Sequence, residues 1–196
     1  MELIKSQTLK NLAKSFAGES QAGLRYQIGA DLCLAQGYYA VANELKTLAK
    51  NEVNHAKVFY RFITDELGVI ENIDIEAGYP YDGATILDVL ERSVINEGSE
   101  ADTIYPSFAK IAKEEGFEDI YERFNQIAKV EMLHKAKFEY LYDALKNDTL
   151  YKSTTPKTWE CSECGHIHES LEAWDICPLC GASQGFVKVV YPKIKI

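Results

Sequence analysis

The sequence predicts an all-α four-helix bundle followed by a small β domain built around four cysteines. Up to about residue 147, apolar residues recur at alternating steps of four and three, the period of an amphipathic helix. Glutamates and histidines interrupt these apolar seams at matching places, and a buried carboxylate needs a cationic partner. Four of the five cysteines lie between residues 161 and 180, where the helical period has stopped.

Composition restricts the classes of function. The chain has 196 residues, of which 46% are hydrophobic and 26% are charged, a balance typical of soluble domains. The net charge of −9 argues against nucleic acid and anionic membranes as partners. No apolar run is long enough to span a bilayer, and the N-terminal residues lack the apolar core of a signal peptide. We therefore expect a cytoplasmic protein with reduced cysteines, no nucleic-acid partner and no membrane partner.

The first predicted helix runs from about residue 3 to residue 34 and turns near Gln36 and Gly37. Glu19 occupies a core position in this helix. The apolar seam around that glutamate consists of Leu9, Leu12, Phe16, Gly23 and Tyr26.

The second predicted helix continues to about Leu67, where Gly68 provides a C-terminal stop. Glu52 and His55 are three residues apart in it, so they stand on the same face. The seam that holds them consists of Val41, Leu45, Leu48, Glu52, His55, Phe59 and Phe62. This helix therefore presents a carboxylate and an imidazole to the core together.

Residues 68–84 form the longest predicted connection, and a crossover of this length joins parallel helices in ferritin-like bundles. The third predicted helix opens at a capping box of Thr85 and Asp88 and ends at Gly116. Pro106 predicts a kink one to two turns after Glu97, because proline removes a backbone hydrogen bond. The seam around Glu97 consists of Leu87, Leu90, Val94, Ala101, Ile104 and Phe108.

The fourth predicted helix spans residues 117–147 and repeats the pattern of the second with Glu131 and His134. Its seam consists of Ile120, Phe124, Ile127, Phe138, Leu141 and Leu145. The spacing between the glutamates is 33 residues in the first half (52 − 19) and 34 in the second (131 − 97). Residues 1–147 thus read as one helical hairpin used twice.

Six side chains of the bundle form a candidate binding site for two metal ions. Four carboxylates and two imidazoles suit two divalent ions of iron or manganese type, the inward-facing set of di-iron carboxylate bundles. The set consists of Glu19, Glu52, His55, Glu97, Glu131 and His134. The alternative, buried ion pairs with lysine or arginine, has no support because neighbouring core positions hold neither residue.

Glu100 breaks the repeat, because the first half has Ala22 at the equivalent position. One turn after Glu97, it reaches the same site. A solvated surface glutamate is the commoner alternative. A fifth carboxylate balances two ferric ions better than two ferrous ions, which indicates a ligand used mainly after oxidation.

Residues 148–158 are predicted to be a linker, and residues 159–196 a second domain with Cys161, Cys164, Cys177 and Cys180. Two C-x-x-C motifs separated by twelve residues predict a tetrahedral site of four thiolates. The spacing leaves structural zinc and redox-active iron open, whereas disulfides do not fit a reducing compartment. The expected apolar shell consists of Trp159, Trp174, Ile176 and Phe186, and residues 186–191 read as a strand. His166 and His168 are expected at the surface, and Cys33 has no assigned role.

Over essentially its full length the chain resembles rubrerythrin, a ferritin-like di-iron bundle with a rubredoxin-like C-terminal domain. The features that carry the resemblance are residues 16–22 (FAGESQA), residues 52–57 (EVNHAK), Glu97-x-x-Glu100 followed by Tyr105-Pro106, Glu131-x-x-His134 and the two cysteine motifs. One departure is His166, where the family often has tyrosine after the first Cys-x-x-Cys-Gly; the cysteine ligands are intact.

The resemblance implies an oxo-bridged di-iron site that reduces hydrogen peroxide to water. Glu52 and Glu131 would bridge the irons, with Glu19 and His55 on one iron and Glu97 and His134 on the other. Glu100 would replace His55 on the first iron after oxidation.

The resemblance also favours a functional role for Tyr26 and Tyr105, which lie near this seam. Their phenol groups would offer hydrogen bonds to peroxide or to a ligand carboxylate. Without the resemblance, each tyrosine is equally well explained by core packing with a satisfied hydroxyl. The candidate catalytic residues are Glu100, His55, Tyr26 and Tyr105.

The implied cofactors are two irons in the bundle and one iron held by the four cysteines, for which zinc is a substitute. The implied partners are hydrogen peroxide and a redox donor protein, either rubredoxin or an NAD(P)H-dependent reductase. The family forms homodimers, and higher oligomers and helix-swapped forms are also expected. Two alternatives stay open: an iron-oxidising, iron-storage protein, and a zinc-ribbon interaction protein with structural metals.

Overall fold

The computed structural model describes residues 1–70, 72–81 and 83–193. Its first part is a bundle of four helical rods, one of which consists of two consecutive helices. The helices are α1 (Gln7–Ala35), α2 (Tyr39–Leu67), α3 (Ile86–Ser99), α4 (Tyr105–Glu115) and α5 (Glu118–Lys146). A separate short 3-10 turn at Leu3–Lys5 precedes α1, so the first helix begins later than its apolar pattern predicts. The ferritin-like bundle and its long crossover between α2 and α3 are confirmed.

The helix ends follow local capping chemistry. The Ser6 hydroxyl accepts a hydrogen bond from the Leu9 backbone N–H at 3.0 Å and so caps α1. Thr85 and Asp88 form the predicted reciprocal capping box, with both hydrogen bonds at 3.1 Å. Gly116 ends α4 in the left-handed conformation with φ of +90°, which glycine adopts without strain.

Helix α1 packs on α2, and α5 packs on the rod made by α3 and α4. Two apolar clusters fill the bundle, one around Leu45 and Phe138 and the other around Phe59 and Phe124. On α2 the layer between the clusters falls at Glu52, as the apolar seam predicts.

A single turn of π-helix, Glu100–Ile104, joins α3 to α4, and Pro106 is the second residue of α4. A π turn holds one extra residue and rotates everything after it by about 100° relative to a regular helix. The predicted seam residue Ile104 is therefore 36% exposed, and Tyr105 is buried in its place. The helix is irregular here, close to Pro106, and the bend of its axis predicted from that residue stays a prediction.

Two further seam residues are placed differently from the prediction. Phe16 and Leu87 are both 38% exposed. Ser15 and Gly18 are buried on α1 instead, and Ile86 and Val89 are buried on α3. A periodic pattern fixes the buried stripe only to within about one residue, because a stripe of core positions is wider than a single row.

The C-terminal part contains a two-stranded antiparallel sheet of β1 (Lys152–Glu160) and β2 (Ile167–Glu172). Strand β1 begins inside residues 148–158, which the sequence predicts as a linker. The strand predicted at residues 186–191 is absent among the described residues: Gln184–Phe186 is a 3-10 turn, and only Val187 forms a bridge, to Cys161. Residues 194–196 of the predicted domain lie outside the described residues.

The apolar core of this second part consists of Trp159, Ala173 and Val187, with Trp174 packed against it. Ile176, which is predicted to belong to this core, is 60% exposed. Phe186 points away from it and stacks on Tyr39 of α2, with ring centroids 4.1 Å apart. The predicted shell of four residues is therefore only half formed.

Phe186 is part of a tight contact between the β domain and the turn that joins α1 to α2. Tyr151 belongs to this contact because it packs against both the bundle core and the β-domain core. A Cβ atom on Gly185 would overlap the backbone carbonyl of Gly37. Backbone thus packs directly on backbone here, which only glycine permits. Among the described helices, none has the length and hydropathy needed to cross a bilayer.

We expect Gly185→Ala to loosen the β domain from the bundle, because overpacking costs roughly 1–3 kcal/mol and the obstacle is rigid backbone. Hydrogen exchange should show the Tyr39 amide region exchanging at least tenfold faster, while protection at the α2 and α5 centres is unchanged. Gly78→Ala is the matched control, since no atom lies within 4 Å of a Cβ at that position. Equal exchange in the two variants would contradict the contact.

Candidate metal centres

Four helices bring six ligand-type side chains to one level of the bundle. Helix α1 supplies Glu19, α2 supplies Glu52 and His55, α3 supplies Glu97, and α5 supplies Glu131 and His134. The four glutamates are at most 1% exposed, and His134 is 2% exposed. Groups of this kind stay buried only when paired or bound to a metal.

The six side chains form two overlapping groups. One group holds Glu19, Glu52, His55 and Glu131, and the other holds Glu52, Glu97, Glu131 and His134. Within each group the ligand atoms all lie within 4.8 Å of one another. Glu52 and Glu131 belong to both groups, which is the arrangement of two carboxylates that bridge two ions.

The distances from the two imidazoles show that the two oxygens of each shared carboxylate lie near different histidines. Nδ1 of His55 lies 3.1 Å from Oε2 of Glu52 and 3.0 Å from Oε1 of Glu131. Nδ1 of His134 lies 2.8 Å from the other oxygen of each, Oε1 of Glu52 and Oε2 of Glu131. Each shared carboxylate therefore offers one oxygen to each half of the site.

The terminal carboxylates lie further from the imidazoles. Oε2 of Glu19 is 3.8 Å from Nδ1 of His55, and Oε2 of Glu97 is 3.7 Å from Nδ1 of His134. Each half thus has one terminal glutamate, one histidine and two shared glutamates, a set that suits iron or manganese.

Several inward atoms have no hydrogen-bond partner among the described residues: Oε2 of Glu19, Oε1 of Glu52, Oε2 of Glu97, both oxygens of Glu131 and Nδ1 of His134. Nδ1 of His134 lies within 2.8 Å of two carboxylate oxygens, yet neither approach has hydrogen-bond geometry. Close approach without hydrogen bonding is what ligands of a common ion show. The residues therefore fit a pair of metal ions.

Two tyrosines hold the terminal carboxylates in a crossed pattern. The Tyr105 hydroxyl, from the second half of the repeat, donates to Oε1 of Glu19 in the first half. The Tyr26 hydroxyl, from the first half, donates to Oε1 of Glu97 in the second half. Both rings are buried, at 2% and 1% exposed. The phenol hydrogen bonds expected from the sequence thus go to ligand carboxylates, where they fix carboxylate orientation.

Glu100 is the first residue of the π segment and belongs to neither ligand group. It is half-buried and lines a cavity next to the site. Burial, followed by the negative charges of Glu131 and Glu52, raises the pKa of Glu100 to about 8. Glu100 is therefore close enough for the charges of Glu131 and Glu52 to shift its pKa. Its use as a metal ligand stays a prediction.

In the cluster without bound metal, the neighbouring carboxylates favour the protonated form of both imidazoles. Burial alone would lower the pKa of His55, but Glu131, Glu19 and Glu52 raise it to about 12. The pKa of His134 is likewise raised, against its burial, by Glu131, Glu52 and Glu97. Burial would raise the pKa of Glu52, yet the imidazoles of His134 and His55 lower it to about 2.

The terminal glutamates behave in the opposite way. Burial, and then the charge of Glu131, raises the pKa of Glu19. Burial, and then the charge of Glu52, raises the pKa of Glu97. The cluster therefore holds protons in place of metal charge, and a metal must displace them.

The second candidate centre is the four-cysteine cluster. Cys161 and Cys177 are buried, whereas Cys164 and Cys180 are exposed. Each motif turns at a glycine in the left-handed region, Gly165 with φ of +73° and Gly181 with φ of +77°. The two motifs face each other, and the four sulfurs lie within 4.8 Å of one another.

The sulfur distances match a tetrahedral metal site. The Cys161–Cys180 and Cys164–Cys177 Sγ distances are 3.8 Å and 3.7 Å. A tetrahedron with metal–sulfur bonds of about 2.3 Å has edges of about 3.8 Å. A disulfide would bring two sulfurs to about 2.05 Å. The predicted site of four thiolates is formed, and this geometry accepts either iron or zinc.

Sequence reasoning missed two features of the bundle site. The crossed direction of the tyrosine hydrogen bonds depends on the π segment, which turns Tyr105 inward. Asn51 lies with its Nδ2 3.3 Å from Nε2 of His134, next to the outer ring nitrogen. Its position beside Glu52 in the sequence gives no periodic signal, because neighbours on a helix point about 100° apart.

We expect Tyr105→Phe and Tyr26→Phe each to destabilise the zinc-loaded bundle by roughly 1.5–3 kcal/mol, the contribution of a hydrogen bond to a charged group. Phenylalanine retains the ring packing, so the change isolates the hydroxyl. Denaturant unfolding measures the loss. Tyr142→Phe is the control, because its hydroxyl donates to Glu91 at the surface. An equal loss of stability in Tyr142→Phe would show that the buried hydrogen bonds stabilise the bundle no more than a surface hydrogen bond does.

Metal loading of the bundle should release at least two protons per pair of divalent ions at pH 7. Both imidazoles have raised pKa values and hold protons at that pH, whereas metal ligation needs the neutral ring. Apparent affinity for the pair should therefore rise with pH, by about a hundredfold per pH unit for two released protons. Calorimetry in buffers of different ionisation enthalpy counts the protons.

His55→Ala is the control for that measurement, since it removes one of the two imidazoles and leaves the four cysteines unchanged. It should release about one proton fewer than the unaltered chain. A proton count that is independent of His55 would show that the imidazoles are neutral before metal binds.

Comparison with known proteins agrees with both centres. A sequence profile described as "Rubrerythrin" matches residues 10–82 and 88–166, and one described as "Rubrerythrin, rubredoxin-like domain" matches residues 159–186. The rubrerythrin of Clostridium perfringens is 37% identical over 185 residues, covering 94% of both chains. The rubrerythrin of Porphyromonas gingivalis is 36% identical over 183 residues, covering 92% of this chain and 88% of its own.

Solved structures share the fold at lower identity. A mixed-valence structure of nigerythrin has a TM-score of 0.62 at 22% identity, covering 97% of this chain and 94% of its own. A bacterioferritin from Desulfovibrio desulfuricans has a TM-score of 0.64 at 24% identity, covering 73% and 82%. The bacterioferritin match supports the bundle alone, whereas the nigerythrin match, the two sequence profiles taken together and the two rubrerythrin sequences extend over both parts. The chain therefore belongs to the rubrerythrin family.

Proposed function

We propose that this chain is a peroxidase that reduces hydrogen peroxide to water, as part of defence against oxidative stress. The rubrerythrin family carries a di-iron site and a rubredoxin-like four-cysteine site, and both ligand clusters fit those cofactors. The observation that carries the proposal is a fifth carboxylate, Glu100, placed between the buried ligand cluster and a cavity. A plain storage site has no need of it.

Glu19, Glu52, His55, Glu97, Glu131 and His134 would hold the two irons in the bundle. Cys161, Cys164, Cys177 and Cys180 would hold the third iron. When bound, the two bundle irons would supply the two electrons that the reaction needs. The balance is H2O2 + 2 H⁺ + 2 e⁻ → 2 H2O, in which the O–O bond breaks and each oxygen leaves as water.

The side chains of the protein would supply protons and hold the ligand carboxylates in position. Burial is the first cause that raises the pKa of Glu100, and it favours the protonated carboxyl at the edge of the cavity. This carboxyl is the group best placed to deliver its proton to a departing oxygen. Tyr26 and Tyr105 orient the terminal carboxylates, and His55 lies on the half of the site that includes Glu19. We infer that Glu100 and His55 would be alternative ligands for the iron that Glu19 would hold.

Electrons would enter through the four-cysteine iron from a redox donor protein, rubredoxin or an NAD(P)H-dependent reductase. The β domain contacts its own bundle at Gly37 and Tyr39. Glu52 lies 13 residues after Tyr39 on α2, which is roughly 20 Å along the helix axis. A second copy could place its β domain nearer to the metals, so we infer a homodimer.

The test is anaerobic reduction of iron-loaded protein, followed by stopped-flow mixing with hydrogen peroxide or with dioxygen. Metal content and visible absorption are measured first, and we expect iron in the four-cysteine site. Oxidation by peroxide should be at least tenfold faster than oxidation by dioxygen. Glu100→Gln should slow the peroxide reaction by about a hundredfold, the lower end of general acid catalysis.

Glu114→Gln is the control, because Glu114 is an exposed carboxylate on α4 that faces Lys110 and lies outside the site. Its peroxide rate should match that of the unaltered chain. Faster oxidation by dioxygen than by peroxide would favour iron oxidation and storage. Zinc alone, in protein produced with ample iron, would favour an interaction module with structural metals.

A further inference from the structure

The ring of His134 has contacts on both of its nitrogens. Nδ1 faces the ligand carboxylates and lies 2.8 Å from an oxygen of Glu52 and 2.8 Å from an oxygen of Glu131. Nε2 faces away from them and lies 3.3 Å from Nδ2 of Asn51 on α2. His134 is only 2% exposed, so solvent has little access to the ring. In the described part of the chain, Asn51 is therefore the side chain that can satisfy Nε2.

Metal binding would determine which ring nitrogen carries the proton. A neutral imidazole has one N–H group, and a ring that binds metal through Nδ1 keeps its proton on Nε2. This N–H group needs an acceptor, because a buried donor without a partner costs roughly 1–3 kcal/mol. Histidine ligands in proteins almost always donate the second N–H group to a carboxylate, a carbonyl oxygen or a water.

The amide group of Asn51 can supply that acceptor. It carries two donor hydrogens on Nδ2 and an acceptor, Oδ1, and a half-turn about the last side-chain bond exchanges the two atoms. The structure has Nδ2 beside Nε2 of His134, which suits a ring whose Nε2 lacks a proton. The half-turn would bring Oδ1 to the same place for a metal-bound ring. The amide can therefore serve either tautomer while the helices stay where they are.

The internal repeat gives this support to one histidine only. His134 corresponds to His55, and Asn51 corresponds to Val130, whose side chain forms no hydrogen bond. Within the described residues, every approach of His55 to a carboxylate is made by Nδ1. The His55 side chain is also more exposed, at 13% against 2% for His134. One imidazole is thus held at both nitrogens and the other at one.

We propose that Asn51 is a positioning residue, which accepts a hydrogen bond from the Nε2–H group of His134 through Oδ1 and keeps Nδ1 directed at the metal. His134 would then remain a ligand throughout, which agrees with the inference that Glu100 is an alternative to His55. The proposal requires bound metal but not the peroxidase reaction. Zinc, which has no redox chemistry, therefore tests it separately from the proposed function.

The first experiment observes the hydrogen bond. Zinc-loaded full-length protein is labelled with nitrogen-15 in histidine, and NMR follows exchange of the Nε2 proton of His134 with solvent. Asn51→Leu has a similar size but no acceptor, so this exchange should become at least about tenfold faster. Asn51→Asp keeps an acceptor and should keep the slow exchange. Asn43→Leu should also keep it, and is the matched control because Asn43 is an exposed asparagine of the same helix.

The second experiment measures zinc affinity by competition with a chelator. Asn51→Leu should bind the zinc pair of the bundle about ten- to a hundredfold more weakly, whereas Asn51→Asp should bind it at least as tightly as the unaltered chain. The zinc held by the four cysteines is the internal reference and should be unaffected.

Three results would overturn the proposal. The first is unchanged zinc affinity in Asn51→Leu, and the second is slow exchange of the His134 proton in that variant. The third is an equal loss of affinity in Asn51→Asp and Asn51→Leu, because it would show that the site needs the donor Nδ2 rather than the acceptor Oδ1.

Discussion

Charge balance in the middle of the bundle is the constraint on which the rest of the structure depends. Four glutamates at most 1% exposed converge from α1, α2, α3 and α5, and each is far too costly to bury alone. Before metal binds, protons on His55 and His134 and on the terminal glutamates limit the repulsion. Two divalent ions replace those protons, so metal binding and the stability of the bundle are one thermodynamic event.

This constraint also explains why the apolar core is divided. Cluster residues such as Leu45 and Phe138 lie on one side of the carboxylate layer, and Phe59 and Phe124 lie on the other. The hydrocarbon excludes water from the layer, which strengthens every electrostatic interaction within it. A cavity that Glu100 helps to line lies at the side of this layer. The scaffold thus surrounds the ligands with hydrocarbon above and below and leaves a cavity beside them.

The sequence predicted the helices, their caps and the ligand clusters because each of these depends on local spacing. Glu52 with His55, Glu131 with His134 and the two cysteine motifs are all readable within one or two turns. The rotation of the third rod could not be predicted in this way. It depends on one additional residue in a π turn, so Ile104 is exposed and Tyr105 is buried where regular periodicity implies the reverse. The packing of Phe186 on Tyr39 likewise depends on contacts between distant segments.

The crossed tyrosines have a consequence for the origin of such a bundle. Each half of the repeat contains its own glutamates and histidine, yet the hydroxyl that orients its terminal carboxylate comes from the other half. A lone helical hairpin would therefore carry a ligand set with one carboxylate unsupported. Two hairpins must associate, either by gene fusion or between subunits, before either half-site is complete. Exchange of matching hairpins between two copies would preserve both tyrosine–glutamate hydrogen bonds. A hairpin-swapped dimer would therefore keep the same buried contacts.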